Sequence, residues 1–284
     1  MANSNYGSGL NLDALMVPFQ SQTVYAAQEN SLYLPGTLVP MVDVPAGSAS
    51  AQVAVMGSVT ATAISSESAG GSGNPQDFET VIPSDTKKTI SLQLIAARSV
   101  LRAIGGVDVD NMSRIMGNAI SAKVDTMVSA EMANLTQQEI TETGTQALLK
   151  EFYEAIGAIR AAGEGGPLNA VISAAAYKDF MTDIGSSAFA ASDVQNQAMR
   201  TGAIGTISGV PCYVSQYLND TNTGVTGTKA AIFSQDALRG AMQGGVKVDI
   251  DNRASAVGVD CVASIAFNVT TLDATRGILL KDAA

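Results

Sequence analysis

The sequence has no histidine, no tryptophan and only two cysteines among its 284 residues, and no lysine or arginine precedes Lys87. Each absence excludes a class of chemistry. Without imidazole there is no Ser-His-Asp triad, no Cys-His nucleophile and no histidine metal ligand. Two cysteines cannot build a four-thiolate zinc site or a disulfide framework. The first residues lack the basic and apolar regions of a secretory signal, and no run of about 18 apolar residues occurs, so neither export nor a membrane span is expected. The expected compartment is the cytoplasm, where Cys212 and Cys261 stay reduced. A formal net charge of −10 argues against a protein whose main task is gripping nucleic-acid phosphates.

What is present is unevenly spread. The stretch before Lys87 carries few charges, all acidic, Asp13, Glu29 and Asp43 among them. Its polarity comes from Ser, Thr, Asn, Gln and Gly. Residues 1–45 are broken by Pro18, Pro35, Pro40 and Pro45 and read as an extended arm with one short helix at most. Leu12, Phe19, Tyr33 and Leu38 give it too much apolar area for a free tail, so it must lie on something. Residues 52–64 alternate Val53, Val55, Val59 and Ala61 with mostly polar neighbours, and 89–94 alternate Ile90, Leu92 and Leu94 with Ser91 and Gln93. Between them lies a tip, 65–75, containing Gly70, Gly71 and Gly73. A two-stranded ribbon of this kind is marginal alone in water and should pack against another chain.

Asp110 reads as the N-cap of a helix over 110–135, about 39 Å long at 1.5 Å per residue. Met112, Ile115, Met116, Ala119, Ile120, Val124, Met127, Val128, Met132 and Leu135 form its core stripe, with Arg114, Asn118, Ser121, Asp125 and Ser129 on the other side. An α/β stretch follows: a helix over 145–162 stopped by Gly163, a buried strand over 168–172, and a helix capped by Ser173. A further helical stretch, 192–200, leads into glycine-punctuated short strands. The C-terminal part reads as strands: 229–233, then Val246, Val248 and Ile250 alternating with charged residues, then 261–269, with 276–280 as an edge strand. In 261–269 one face is Cys261, Ala263, Ile265, Phe267 and Val269, so Cys261 reads as a buried inert thiol. The fold class is α+β.

Other motifs do not add up to chemistry. The glycines at 163–166 and 202–205 lack both the P-loop Lys-Ser/Thr ending and a dinucleotide fingerprint. Asp108, Asp110 and Asn111 lack the glycine and bidentate glutamate of a calcium loop. Asp249, Asp251 and Asp260 read as solvated strand-edge carboxylates. No catalytic residue, metal or cofactor is expected. Lys87 and Lys88, with Arg98 and Arg102 downstream, form the first positive cluster. They either solvate the hairpin base or pair with an acidic segment of a neighbouring subunit.

The order of parts resembles the major capsid proteins of tailed bacteriophages, the Hong Kong 97-like fold. The most specific stretch is 202–215, Gly-Ala-Ile-Gly-Thr-Ile-Ser-Gly-Val-Pro-Cys-Tyr-Val-Ser, followed after a polar loop by 230–241, Ala-Ala-Ile-Phe-Ser-Gln-Asp-Ala-Leu-Arg-Gly-Ala. Residues 246–251 and 260–272 are similar to the closing strands of that family.

The resemblance implies an N-arm at 1–45, an extended E-loop hairpin at 46–89, a P-domain at 90–143 with spine helix 110–135, an A-domain at 144–245, and returning P-domain strands at 246–284. It implies a shell subunit in the virion, assembled in the host bacterial cytoplasm as pentamers and hexamers. Partners would be a separate scaffolding protein, a portal, a cement or decoration protein, and packaged DNA touched only weakly, with no membrane. Leu12, Phe19, Tyr33, Gly70, Gly71, Gly73, Lys87, Lys88, Arg98 and Arg102 are then the intersubunit contacts. A related alternative is an encapsulin-like compartment. Alternatives of other classes are a small oligomeric enzyme using carboxylates such as Asp249, Asp251 or Glu154, and a surface adhesin.

Overall fold

The computed structural model describes residues 12–55, 86–102, 109–141, 147–186, 205–218, 227–253 and 258–282. In chain order the elements are α1 (Leu12–Asn30), β1 (Met41–Asp43), β2 (Ser50–Val55), β3 (Thr86–Ser91), β4 (Gln93–Arg102), α2 (Val109–Glu131), β5 (Thr136–Ile140), α3 (Ala147–Ala161), β6 (Leu168–Ser173), α4 (Tyr177–Ser186), β7 (Thr206–Ile207), β8 (Val210–Ser215), β9 (Thr228–Ser234), β10 (Leu238–Arg253), β11 (Gly258–Thr271) and β12 (Gly277–Asp282). The strands form a four-stranded sheet β1-β10-β11-β4, a six-stranded sheet β5-β12-β9-β6-β8-β7 and a two-stranded ribbon β2-β3. The class is α+β.

Helix α2 begins at Val109, one residue before the expected cap, and continues as a 3-10 turn over Met132–Asn134. Of its expected stripe Ile115 and Ala119 are exposed and Met112 and Met127 half-buried, while Met116, Ile120, Val124, Val128, Met132 and Leu135 are buried. They meet the inward face of β11, where Cys261, Ala263, Ile265, Phe267 and Val269 are all buried, and Val246 and Val248 of β10. The other side is divided: Arg114 and Asn118 are exposed. Ser121, Asp125 and Ser129 are buried, with Ser113. These and Gly117 recur every fourth residue, which lines them up as one ridge of small side chains along the helix.

That ridge receives α1, and here the sequence expectation fails. The N-terminal segment is a 19-residue helix, not an extended arm. Pro18 lies inside it, and its apolar residues keep no single stripe, so periodicity does not reveal it. Phe19 and Tyr33 are buried in the same core as α2, so the surface they cover belongs to their own subunit. A β-carbon on Gly117 would lie 2.7 Å from the Cβ of Ala26 and 2.7 Å from the carbonyl oxygen of Thr23.

The six-stranded sheet separates this core from a second one. On β9, Ala231 and Phe233 face α2, while Ala230 and Ile232 face α3 and α4. On β12, Leu279 faces one way and Ile278 and Leu280 the other. Beneath α3 the rings of Phe152 and Phe180 meet edge to face, 5.7 Å between centroids at 87°. Strand β12 is therefore interior, between β5 and β9, not the edge strand expected at 276–280. Strands β5 and β12, assigned by resemblance with the peripheral sheet, pair with each other in this one. Strand β10 begins at Leu238, inside the stretch assigned to the A-domain. For β12 the reason is burial on both faces: a strand shared by two cores carries no polar alternation to mark its sheet. The remaining local signals hold: Ser173 Oγ accepts from Ala176 N at 3.1 Å before α4, and Gly163 stops α3 at φ +93°. The helical stretch 192–200 lies outside the described residues.

Ribbon β2-β3 pairs from Ser50 opposite Ser91 to Val55 opposite Thr86. The expected run Ile90, Leu92, Leu94 is interrupted at Leu92, between β3 and β4. Ile90 is buried, whereas Leu94 is 75% exposed.

Gly117→Ala tests the close helix contact. Helix propensity alone favours alanine by up to about 1 kcal/mol. The clash involves backbone atoms of α1 that no rotamer change relieves, and overpacking of that kind costs about 1–3 kcal/mol. The expected outcome in thermal unfolding is a lower Tm; a raised Tm would show that α1 yields freely.

Candidate functional site

Two polar junctions decide how the N-terminal helix and the hairpin are carried. At the first, the Asp125 side chain is buried against the chain that leaves α1. Ser31 Oγ donates to its Oδ1 at 2.6 Å and Leu32 N to its Oδ2 at 3.1 Å. Ser31 Oγ accepts in turn from Leu34 N at 3.0 Å. Beside this clamp, Asn30 Nδ2 donates to Asn118 Oδ1 at 2.8 Å, and Ser113 Oγ donates to Gln22 Oε1 at 3.0 Å. Burial pushes the Asp125 carboxyl above its ordinary range, and the hydrogen bonds from Ser31, Leu32 and Tyr33 offset part of that. Burial, with the Asp125 charge adding to it, pushes the Tyr33 phenol far up.

The second junction is the root of the hairpin. Ile90 and Ala51 close a small core with Val44 and Ala241. Around it, Leu92 N donates to Ala49 O at 2.9 Å, Asn268 Nδ2 to Ser91 O at 2.6 Å, and Gln243 Nε2 to Pro45 O at 2.8 Å. Lys88 Nζ donates to Thr271 O at 2.6 Å, and Thr271 N donates to Glu131 Oε1 at 2.7 Å. The ribbon expected to pack against another chain is anchored at its base within its own chain.

The residues expected to make intersubunit contacts are dispersed. Leu12 is the first residue of α1, and its side chain lies outside the described set. Gly70, Gly71 and Gly73 also lie outside it. Phe19 and Tyr33 are interior, so an intersubunit role for them is corrected: their surface is consumed within the subunit. Lys87 is exposed on β3. Lys88 is engaged at Thr271, and Arg98 binds Asp260, its Nε 3.0 and 3.1 Å from the two carboxylate oxygens. Arg102 ends β4 opposite Gly258. The four cations do not form one cluster: Arg98 faces Val262, nine residues along β11 from Thr271, or ~30 Å at ~3.3 Å per residue.

Asp260 is not a solvated edge carboxylate. It stands in register with Asp251, an unfavourable like-charge pairing across β10 and β11, and Arg98 answers it from the neighbouring strand. The uncovered face of this sheet also presents exposed Leu94, Lys247, Asp249 and Asp251. On α1 and α2 the exposed large apolar side chains among the described residues are Val17, Tyr25 and Ile115. Sequence reasoning missed Gly117, Asp125, Glu131 and Thr271. The four-residue spacing from Ser113 to Ser129 was the available signal for the first two.

The carboxylates of the enzyme alternative do not converge. Asp249 and Asp251 lie on β10 and Glu154 on α3, which packs on the other sheet. Among the described residues no group of three or more Cys, Asp or Glu is placed to hold a metal. Burial pushes the thiols of Cys212 and Cys261 up to about 12 and about 11, and the nearby Asp260 charge adds to the latter. Both cysteines are free and held in the poorly nucleophilic thiol form at neutral pH.

No protein-family model matches the chain, and no curated protein matches it in sequence. Solved structures match its fold. The capsid structure of cyanophage P-SCSP1u is 16% identical, covers 89% of each chain and superposes with a TM-score of 0.66. A virus-like particle from Pyrococcus furiosus is 10% identical, covering 94% of this chain and 99% of that one with a TM-score of 0.64. The mature capsid of bacteriophage PhiM1 is 11% identical, with 89% and 87% covered and a TM-score of 0.60. The chain has the fold of these capsid structures.

The Asp125 clamp gives a signed pH dependence. Its folded pKa is raised above 3.8, so its contribution is fully present below that value and is lost as pH rises through the folded one. In Asp125→Asn the amide accepts from Leu32 N and donates to Ser31 Oγ. Measured by urea unfolding, the variant should gain stability relative to wild type as pH rises from acid to neutral. A difference independent of pH would show that Asp125 titrates normally.

Proposed function

We propose that this chain is the major capsid protein of a tailed bacteriophage, the subunit of an icosahedral head enclosing double-stranded DNA. The observation that carries the reading is likeness of fold along nearly the whole chain to capsid subunits, with 89% of both chains covered in the cyanophage case. Copies of the chain form pentamers and hexamers, guided by a separate scaffolding protein, completed by a portal and bound outside by a cement or decoration protein. The head assembles in the host bacterial cytoplasm. The net charge of −10 suits a wall from which packed DNA slides rather than sticks. The chain has no catalytic role. The charge-poor stretch before Lys87 suits surfaces that meet neighbouring subunits, since charge is depleted at interface cores.

A second reading is a compartment enclosing protein cargo, favoured by the likeness to the Pyrococcus furiosus particle over 99% of that chain. Purified protein, alone and with a co-expressed scaffold, imaged by negative-stain microscopy, should give closed shells. A protein that stays monomeric or forms only small rings under every condition would overturn both readings. Nucleic acid within the shells favours the phage head; enclosed protein favours the compartment.

Deleting residues 65–75 should leave the far-ultraviolet circular dichroism unchanged while shell formation is lost or altered. Loss of soluble folded protein would instead assign the hairpin tip to the subunit's own core.

A further inference from the structure

Strand β4 stops short of its neighbour. Its register with β11 ends at Gln93 opposite Phe267, so residues 268–271 have no strand on that side. A strand residue points its N–H and C=O the same way, and both need partners when buried. Thr271 is buried, and two side chains of opposite charge take the place of the missing strand. Glu131, the last residue of α2, accepts from Thr271 N at 2.7 Å and from its Oγ1 at 3.0 Å. Lys88, from the hairpin, donates to Thr271 O at 2.6 Å. On β3, Lys88 is two residues from Ile90 and shares its face, so burial of Ile90 under the hairpin root aims the lysine along the sheet.

We infer that Thr271 couples the angle of the hairpin to the C-terminal end of α2. The N–H and C=O of Thr271 belong to adjacent peptide groups, and each is held by a charge-assisted hydrogen bond, about twice as strong as a neutral one. Withdrawing Lys88 leaves the carbonyl unanswered and lets Thr271 turn away from Glu131; shifting Glu131 displaces Thr271 and its carbonyl from Lys88. The hairpin root and the helix end therefore move together. The open cleft around these groups, lined by Lys88, Thr89, Glu131, Asn134, Thr270 and Thr271, leaves room for that movement. The coupling exists in the single subunit and does not depend on whether a shell forms.

Amide hydrogen exchange in the unassembled full-length protein reads it directly. Lys88→Met should speed exchange across residues 86–91 by about tenfold without changing circular dichroism. Lys88→Arg, which keeps a cationic donor, should hold the wild-type rate. Glu131→Ala should also speed exchange in β3, although it touches no hairpin atom, and Glu131→Gln, which keeps an acceptor, should not. The double variant Lys88→Met with Glu131→Ala should exchange no faster than the faster single variant. A Glu131→Ala protein with wild-type exchange in β3, or two effects that multiply in the double variant, would overturn the coupling.

Discussion

The N-terminal helix can lie on α2 only because the row Ser113, Gly117, Ser121, Asp125 and Ser129 carries so little side chain. Two helices in ordinary contact sit about 8–10 Å apart, set by the residues between them. Here the contact at Gly117 admits no β-carbon, and the backbone of α1 rests on it. That approach leaves α2 buried on two faces, one against the sheet and one under α1. A helix with two buried faces must still satisfy its polar groups, and Asp125 does so by gripping Ser31 and Leu32. This one carboxylate ends α1, turns the chain, and seats Tyr33 in the core.

The two sheets meet through strands that serve both cores. Because β9 and β12 present apolar side chains on each face, the two cores are not separable bodies joined by a linker. The ion pairs at the seam follow the same logic: Arg276 reaches Glu164 at 3.2 Å and Asp273 at 3.2 Å, drawing together the end of α3 and the turn before β12. Such pairs contribute modestly, and the continuous apolar packing holds the joint.

How much of this was legible depends on which signal a residue carries. The stripe from Met116 to Leu135 and the alternation from Cys261 to Val269 were plain, because each obeys one period with one buried face. The α1 helix was not, because Pro18 and dispersed apolar residues mask its rhythm, and its partner ridge is polar in composition although buried in fact. The interior position of β12 was hidden for the opposite reason, since Ile278, Leu279 and Leu280 read alike whether a strand is central or at an edge. Among the candidate contacts, Lys88 and Arg98 find partners within the chain. Their partners, Thr271 and Asp260, are 183 and 162 residues away in sequence, beyond any local pattern.

The interior position of β12 also has a bearing on the order in which the molecule comes into being. Strand β5 has β12 as its one neighbour, and β9 meets it on one side, so both await residues 277–282. Helix α1 likewise waits for α2, and β4 waits for β11. Apart from the β10–β11 and β7–β8 hairpins, the pairings that close the two cores join distant segments, a topology that folds slowly because those segments must meet before either is rewarded. A growing chain therefore carries the apolar faces of β5 and β9 open until β12 is made.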